Sequence, residues 1–403
     1  MAELRGKGTA VHTLLDNRDT GSQRSDHGRR QLRVAIVINR IVGGGAERFV
    51  VDLASYLAGR GVSVVVCVTR SNVDLDVIQA LHAASVEVLL LNRRNRLMLH
   101  RWWPLLELLG KGEVDILNTH LPGSNLNGIF LSLASGTPLI ATEHGSVYER
   151  RPLLGPLYRL VEFRAKALVA VSEDIRNQLA RVVPETKLRV IIPSSRESPL
   201  PTLSRAEALA RLGVPDNCRV IGTVCALRKE KRLDVLFKAF EALAVRRHVR
   251  LIVVGDGPAR TEVDNLAHRL NPEDVVLTGW RTDAAQLLPA FDVFVLTSRY
   301  EGTPLALIEA MRAGCAIVTT AVGGVPAVAP DGECALHVPA GDSVALASTI
   351  ERVLDDAQAA ANLRSRARQR ARERYRFERA GEAWLALFQE VARTTRVEHG
   401  DIR

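Results

Sequence analysis

The stretch FDVFVLTSRYEGTPLALIEAMRAG (Phe291–Gly314) decides how the rest of the chain is read. Phe291–Thr297 is apolar and β-branched and predicts a buried strand. Thr303 followed by Pro304 reads as an N-cap and a first helical residue. Leu305, Ile308 and Met311 recur every three residues, as on one helical face, and Gly314 is a C-terminal stop. Glu301 then falls in the loop before the helix, and Glu309 lies about two turns inside it. The helix N-terminus turns its unpaired N–H groups toward the same loop, where they attract an anion. Two carboxylates beside such a site suit a ligand with both negative groups and hydroxyls, such as a sugar attached to a phosphate. The stretch also admits a plainer reading, in which Glu309 pairs with Arg312 at i, i+3 on a solvated face and Glu301 is an ordinary loop residue.

Outward from this stretch, strands and helices alternate from Arg33 onward. Strands are predicted at RVAIVIN (33–39), VSVVVCVT (62–69), VEVLLL (86–91), VDILNTH (114–120), PLIATEH (138–144) and ALVAVS (167–172), and a glycine turn opens a helix in GGGAERFVVDLASYLAGRG (43–61). A Pro- and Ser-rich linker near residue 193 interrupts the pattern. The alternation resumes with RVIGTVCAL (219–227), VRLIVVGDG (249–257), DVVLTGW (274–280), the strand at 291–297 and CAIVTT (315–320). This predicts an α/β fold of two Rossmann-like, doubly wound parallel-sheet domains, 32–196 and 197–375, with a helix at 376–395 packing back toward the first. Ligands of such sheets bind beyond the carboxyl ends of the strands, here in the cleft between the domains.

Bulk properties narrow the class. The chain has 403 residues, 47% hydrophobic and 25% charged, as in a soluble globular protein. No apolar run is long enough to span a bilayer. Residues 1–31 are polar, charged and glycine-containing and read as a disordered leader. Five cysteines with no C-x-x-C pair point away from a disulfide framework or zinc site and toward a reducing cytoplasm. The net charge of +9 comes with only 4% aromatics and no nucleic-acid-reading module, so no nucleic-acid partner is expected. Basic surfaces also suit phosphorylated substrates or anionic lipids. Much of the excess lies in the tails and in RSRARQRARERYR, which reads as a solvated helix face.

In order, GGGAER, TEHG (142–145), AVSEDIRNQL, ALRKEKRLDVLFKAF, VVGDGP, LTGW, FVLTSRYEGTPLALIEAMRAG and VGGVP resemble the retaining glycosyltransferase family 4, which has the GT-B fold. The resemblance covers about Arg33 to Val391, and the E-x7-E pair Glu301 and Glu309 is its most specific element. It implies a glycosyltransferase of the hexosyl or N-acetylhexosaminyl type. Such an enzyme moves a sugar from a nucleotide-sugar donor to a glycan or lipid-linked acceptor in cell-envelope or exopolysaccharide biosynthesis. It implies catalytic roles for His144, Glu301 and Lys231: Glu301 on donor-sugar hydroxyls, Lys231 on the leaving diphosphate, His144 beside the donor sugar. Glu309 is expected to hold the ribose. The amides around Gly302, Thr303, Leu305 and Ala306 are expected to receive the diphosphate. Gly45 matches a glycine where the backbone approaches the substrates and a Cβ would clash. His120 is a candidate acceptor contact.

Three positions depart from the family pattern. Ala226 stands where an arginine is usual, with Arg228 or Lys229 as substitutes; Ser194-Ser195 replaces Asn-Gly; Ala327 replaces a glutamate. Asp74-Leu75-Asp76 is a D-x-D, which binds a metal in another transferase class, but it also reads as an acidic pair in an early helical turn. No metal or other cofactor is expected. NRRNRLMLHRWWPLLELLGK (92–111) reads either as a helix packed on the first sheet or as a peripheral contact with an anionic membrane. Trp280 lies where a base would stack. A GT-B-type nucleotide-sugar epimerase and a non-catalytic transferase-like subunit are the competing functions.

Overall fold

The computed structural model describes residues 31–42, 44–71, 73–95, 98–145, 160–161, 163–197 and 202–398. The expected leader, Gln31 apart, lies outside the described residues. Two wholly parallel sheets carry the chain. The first has seven strands: β1 (Arg33–Ile38), β2 (Ser63–Val68), β3 (Glu87–Leu90), β4 (Ile116–His120), β5 (Leu139–Glu143), β6 (Ala165–Ala170) and β7 (Leu188–Val190), in the order β3-β2-β1-β4-β5-β6-β7. The second has six: β8 (Arg219–Val224), β9 (Val249–Val254), β10 (Val275–Gly279), β11 (Val293–Leu296), β12 (Ala316–Thr320) and β13 (Leu336–Val338), in the order β10-β9-β8-β11-β12-β13. Both are the doubly wound order, with switch points between β1 and β4 and between β8 and β11.

The inner strands read as continuous apolar runs because helices cover both faces; Val34–Ile38 are fully buried. β7 and β13 escape a sequence reading for a physical reason. Each has three residues and pairs with a single neighbour at a sheet edge, too short to show a pattern.

The helix Phe377–Glu398 lies against the helix Gly45–Gly59. The Phe377 ring is 6.3 Å from Phe49 and 5.7 Å from Tyr56, and Trp384 is 5.8 Å from His120 and 5.3 Å from Phe388. Gly381 lets the helix approach, since a Cβ there would fall within 2.6 Å of the Tyr56 ring. One buried cluster joins Phe49, Leu53, Ile308, Met311, Trp384 and Phe388 across both sheets.

The basic helix is not simply a solvated face. From Ala357–Arg374, Arg364 donates to the Asp292 carbonyl at 2.9 Å, Arg368 to Ala313 at 2.9 Å, and Arg370 to Val328 and Ala327 at 2.9 and 2.7 Å. These guanidinium groups satisfy carbonyls that end neighbouring elements. In 92–111, the Arg93 guanidinium stacks 4.7 Å over buried Trp102, whereas Leu99 and Trp103 are 64% and 69% exposed. One tryptophan packs inward and the next faces out. Asp74 caps the helix Leu75–Ala83, accepting from the Asp76 amide at 3.0 Å, which is the structural role of an early acidic pair.

Candidate active site

The loop after β11 is held by its neighbours. Glu301 is 8% exposed. Its Oε1 accepts from Lys231 Nζ at 2.6 Å and from Ser298 Oγ at 2.5 Å. Lys231 ends a turn at Lys229–Lys231 that is stitched to this loop: Thr297 Oγ1 donates to Lys231 O at 2.8 Å, and the Arg299 amide to Glu230 O at 2.8 Å. Burial by itself would push the Lys231 ammonium down, but the Glu301 carboxylate outweighs it, and the group is held above its ordinary value. The VGGVP turn backs the loop, backbone on backbone. Gly324 N donates to Glu301 O at 3.2 Å. Gly323 has φ +53°, a left-handed conformation that favours glycine. A Cβ on Gly323 would collide with Glu301 O, one on Gly324 with Gly302 O, and one on Gly302 with His144 O.

The helix Leu305–Ala313 begins one residue later than expected. Pro304 occupies the N-cap position with extended backbone, φ −76° and ψ 103°. Thr303 is not a cap: its hydroxyl donates to Val171 O, on the first sheet's side of the cleft, at 2.5 Å. Among the described residues the N–H groups of Gly302, Thr303, Leu305 and Ala306 have no hydrogen-bond partner, so four donors cluster around a proline that has none. Gly45 faces this helix, but a Cβ there would meet only Leu305 at 3.7 Å, an ordinary contact. Crowding by protein atoms therefore does not account for the glycine.

Glu309 is the fifth helical residue, little more than one turn in, and 8% exposed. It does not pair with Arg312 on a solvated face. Its carboxylate lies 3.3 Å from Arg48 Nη1, of the GGGAER motif. Arg312 turns to the hinge: it donates to Ser195 O at 2.8 Å, Ser195 Oγ at 3.1 Å, Ser194 Oγ at 2.6 Å and the Tyr375 carbonyl. Beside Arg48 a cavity of about 700 Å³ opens, lined by Asp52, Arg196, Thr282, Arg312 and Phe377.

His144 follows β5, and its Nε2 lies 2.8 Å from His120 Nδ1; His120 Nε2 lies 2.6 Å from Asn118 Oδ1. Burial pushes His144 down to about 4, and burial plus its histidine neighbour pushes His120 well below its ordinary value. His120 is fully buried with both ring nitrogens engaged, so it presents no atom to an acceptor. Arg228 is exposed and joins Lys229, Arg232 and Glu262 around a cavity of about 220 Å³; its carbonyl accepts from the Lys231 amide at 2.9 Å, while among the described residues its guanidinium makes no ion pair with Glu301. Lys229 pairs with Glu262 at 3.2 Å. Among the described residues neither the Arg228 nor the Lys229 side chain pairs with Glu301. Trp280 is 42% exposed after β10.

Sequence reasoning missed Ser298, Arg48, Asn118 and Arg312 as parts of this site. Arg48 lay inside a quoted motif, but its partner Glu309 is distant in sequence; Ser298 stands three residues before Glu301 in the opening stretch, and that spacing was the signal that could have found it. Glu47, also in GGGAER, closes the glycine turn by accepting from the Gly44 amide at 2.5 Å.

Two Rossmann-like sheets with buried charge and open amides between them define a GT-B glycosyltransferase. Residues 43–193 match the family described as Glycosyltransferase Family 4, and residues 218–356 the one described as Glycosyl transferases group 1. The chain belongs to glycosyltransferase family 4. It is 25% identical over 295 residues to the N-acetyl-alpha-D-glucosaminyl L-malate synthase of Bacillus anthracis, spanning 71% of this chain and 77% of that protein. It is 27% identical over 241 residues to the UDP-Gal:alpha-D-GlcNAc-diphosphoundecaprenol alpha-1,3-galactosyltransferase of Escherichia coli, spanning 55% and 61%. The solved structure of Anabaena HepE in complex with UDP-glucose shares the fold, with a TM-score of 0.76 at 21% identity over 91% of this chain and all of that one. No helix among the described residues is long and apolar enough to cross a membrane.

Proposed function

We propose that the enzyme transfers a sugar from a nucleotide-sugar donor to a hydroxyl of a glycan or lipid-linked acceptor, with retention at the anomeric carbon. The observation that carries this reading is the cluster of open amides at Gly302, Thr303, Leu305 and Ala306 beside the Lys231–Glu301 pair. Oriented N–H groups and a buried ammonium together suit a diphosphate. Glu301 would exchange its lysine partner for donor-sugar hydroxyls, and Glu309 would accept from the ribose hydroxyls. Gly45 would border the donor, and His144 would face the sugar.

In the transfer, the acceptor oxygen bonds to the anomeric carbon as the bond to the diphosphate breaks. The acceptor proton passes to the departing phosphate oxygen on the same face. Lys231 and the amides meet the charge that develops there, so turnover is expected to survive a chelator. Two of the proteins named above, a galactosyltransferase named for a diphosphoundecaprenol-linked acceptor and a protein solved with UDP-glucose, support donor and acceptor of these classes.

The test is a thermal-shift and nucleotide-release screen of UDP-, GDP- and ADP-sugars on wild type and Glu301→Gln. Stabilisation and turnover by one donor, with turnover lost in the variant, supports the reading; full turnover in Glu301→Gln sinks it. Exposed Leu99 and Trp103, with Arg101 between them, would give peripheral contact with an anionic membrane. Co-sedimentation with anionic vesicles is expected to weaken in Trp103→Glu, and equal sedimentation of the two proteins argues against that contact.

A further inference from the structure

The protons in the Asn118–His120–His144 chain can be assigned from heavy-atom contacts. Asn118 and His120 lie two apart on β4 and face the same side of the sheet. The Asn118 amide nitrogen donates to Ile140 O at 3.1 Å and to Thr142 Oγ1 at 3.2 Å. A peptide carbonyl can only accept, so the NH2 group faces Ile140 and the oxygen faces His120. That oxygen is 2.6 Å from His120 Nε2, which therefore carries a hydrogen. His120 is buried and neutral, so its Nδ1 is a bare acceptor, and His144 Nε2, 2.8 Å away, must be the donor. A neutral His144 is left with its lone pair on Nδ1. Among the described residues nothing hydrogen-bonds that atom.

His144 also stands where the two sheets' loops meet. Gly302 is pressed against its carbonyl, and a Cβ on Gly145 would lie 3.7 Å from Tyr300 Cε1. His144 is thus half-buried at the point where its own backbone borders the Glu301–Gly302 loop.

We propose that Asn118 and His120 are positioning residues that fix His144 in its Nε2-protonated tautomer, so that Nδ1 accepts a hydrogen bond from a sugar hydroxyl in the cleft. The identity of that hydroxyl rests on the donor reading above; the tautomer rests on the hydrogen-bond chain alone. Asn118 and His120 touch no substrate. In the other tautomer Nδ1 would offer a hydrogen, and the hydroxyl would have to reverse its own bond.

Long-range 1H–15N correlation spectra of the full chain at pH 7 read the tautomers directly, with signals assigned through His120→Gln and His144→Gln. The expected result is two neutral rings, each with Nε2 protonated and Nδ1 bare. A protonated Nδ1 on His144, or an imidazolium at either position, overturns the relay. Asn118→Asp sets a carboxylate against His120 and favours its imidazolium. Nδ1–H of His120 then donates to His144, whose hydrogen moves to Nδ1; an unmoved hydrogen in the folded variant overturns the relay. With the donor that turns over in the screen, His120→Phe is expected to lower kcat by roughly 10- to 100-fold while KM changes little. Unchanged kcat in that folded variant overturns the positioning role. If wild type turns over no donor, the donor reading fails, and the tautomer spectrum still decides the relay.

Discussion

Replacing Gly324 by alanine adds one methyl group and removes no charge or hydrogen-bonding group. The backbone there has φ −78° and ψ −5°, which alanine adopts freely, so the effect is steric alone. The new Cβ would fall inside the envelope of the Gly302 carbonyl oxygen and 3.1 Å from both the Gly302 carbonyl carbon and Ser172 Cβ. Relief requires the Glu301–Gly302 backbone to retreat by roughly 1 Å, and a shift of that size at a reacting centre costs about 10²-fold in rate. Overpacking itself costs about 1–3 kcal/mol. Nucleotide release and urea denaturation measure the two effects separately. Gly59→Ala is the control, since a Cβ at that helical position meets nothing within 4 Å, and it should leave kcat alone and hold or raise stability. A Gly324→Ala protein as stable as wild type, with kcat within about threefold of it, would refute the claim that the VGGVP turn positions Glu301.

Lys231→Met strands a largely buried carboxylate. It should lower stability by about 3 kcal/mol and turnover by about 10²–10³-fold. Adding Glu301→Gln should restore most of the stability in urea melts and none of the turnover; recovered turnover contradicts the assignment. His144 titrates near 4 in the fold against an ordinary 6.5, so the unfolded chain binds the extra proton between those values. Stability is complete above about 6.5 and falls on acidification toward 4, by about 3 kcal/mol from this group, with His120 acting in the same direction. Denaturation of wild type and His144→Gln at pH 7 and 4.5 should show a smaller loss in the variant, and parallel losses remove histidine as the cause. Arg312→Lys should destabilise by about 2 kcal/mol, because an ammonium cannot reproduce a fork that reaches Ser194, Ser195 and the Tyr375 carbonyl together; an unchanged melting midpoint denies the clamp.

The fold was legible where burial writes a long pattern. β1, β2, β8 and β9 are mostly apolar and β-branched, and the E-x7-E spacing marked the loop after β11 and the helix that follows it. What stayed hidden depends on partners far away in sequence. Thr303 and Pro304 looked like a cap and a first turn because local chemistry favours that. The hydroxyl is instead taken by Val171 from the other side of the cleft. Ser194-Ser195 differed from the family's Asn-Gly, yet both hydroxyls receive Arg312, which the plainer reading of the helix paired with Glu309. Asn118 looked like a polar residue inside a strand; only the register of β4 against β5 reveals that it orients His120.

The contact between Trp384 and His120 has a bearing on biosynthesis. The helix Phe377–Glu398 follows both sheets in the sequence, yet its aromatic rings cover Phe49 and Tyr56 on the helix Gly45–Gly59 and His120 at the end of β4. A nascent chain stalled after β7 would leave that apolar face open to water. The amino-terminal half can reach its finished form only once translation has passed both sheets and the helix Phe377–Glu398, which makes loss of that helix a lesion of the part made first.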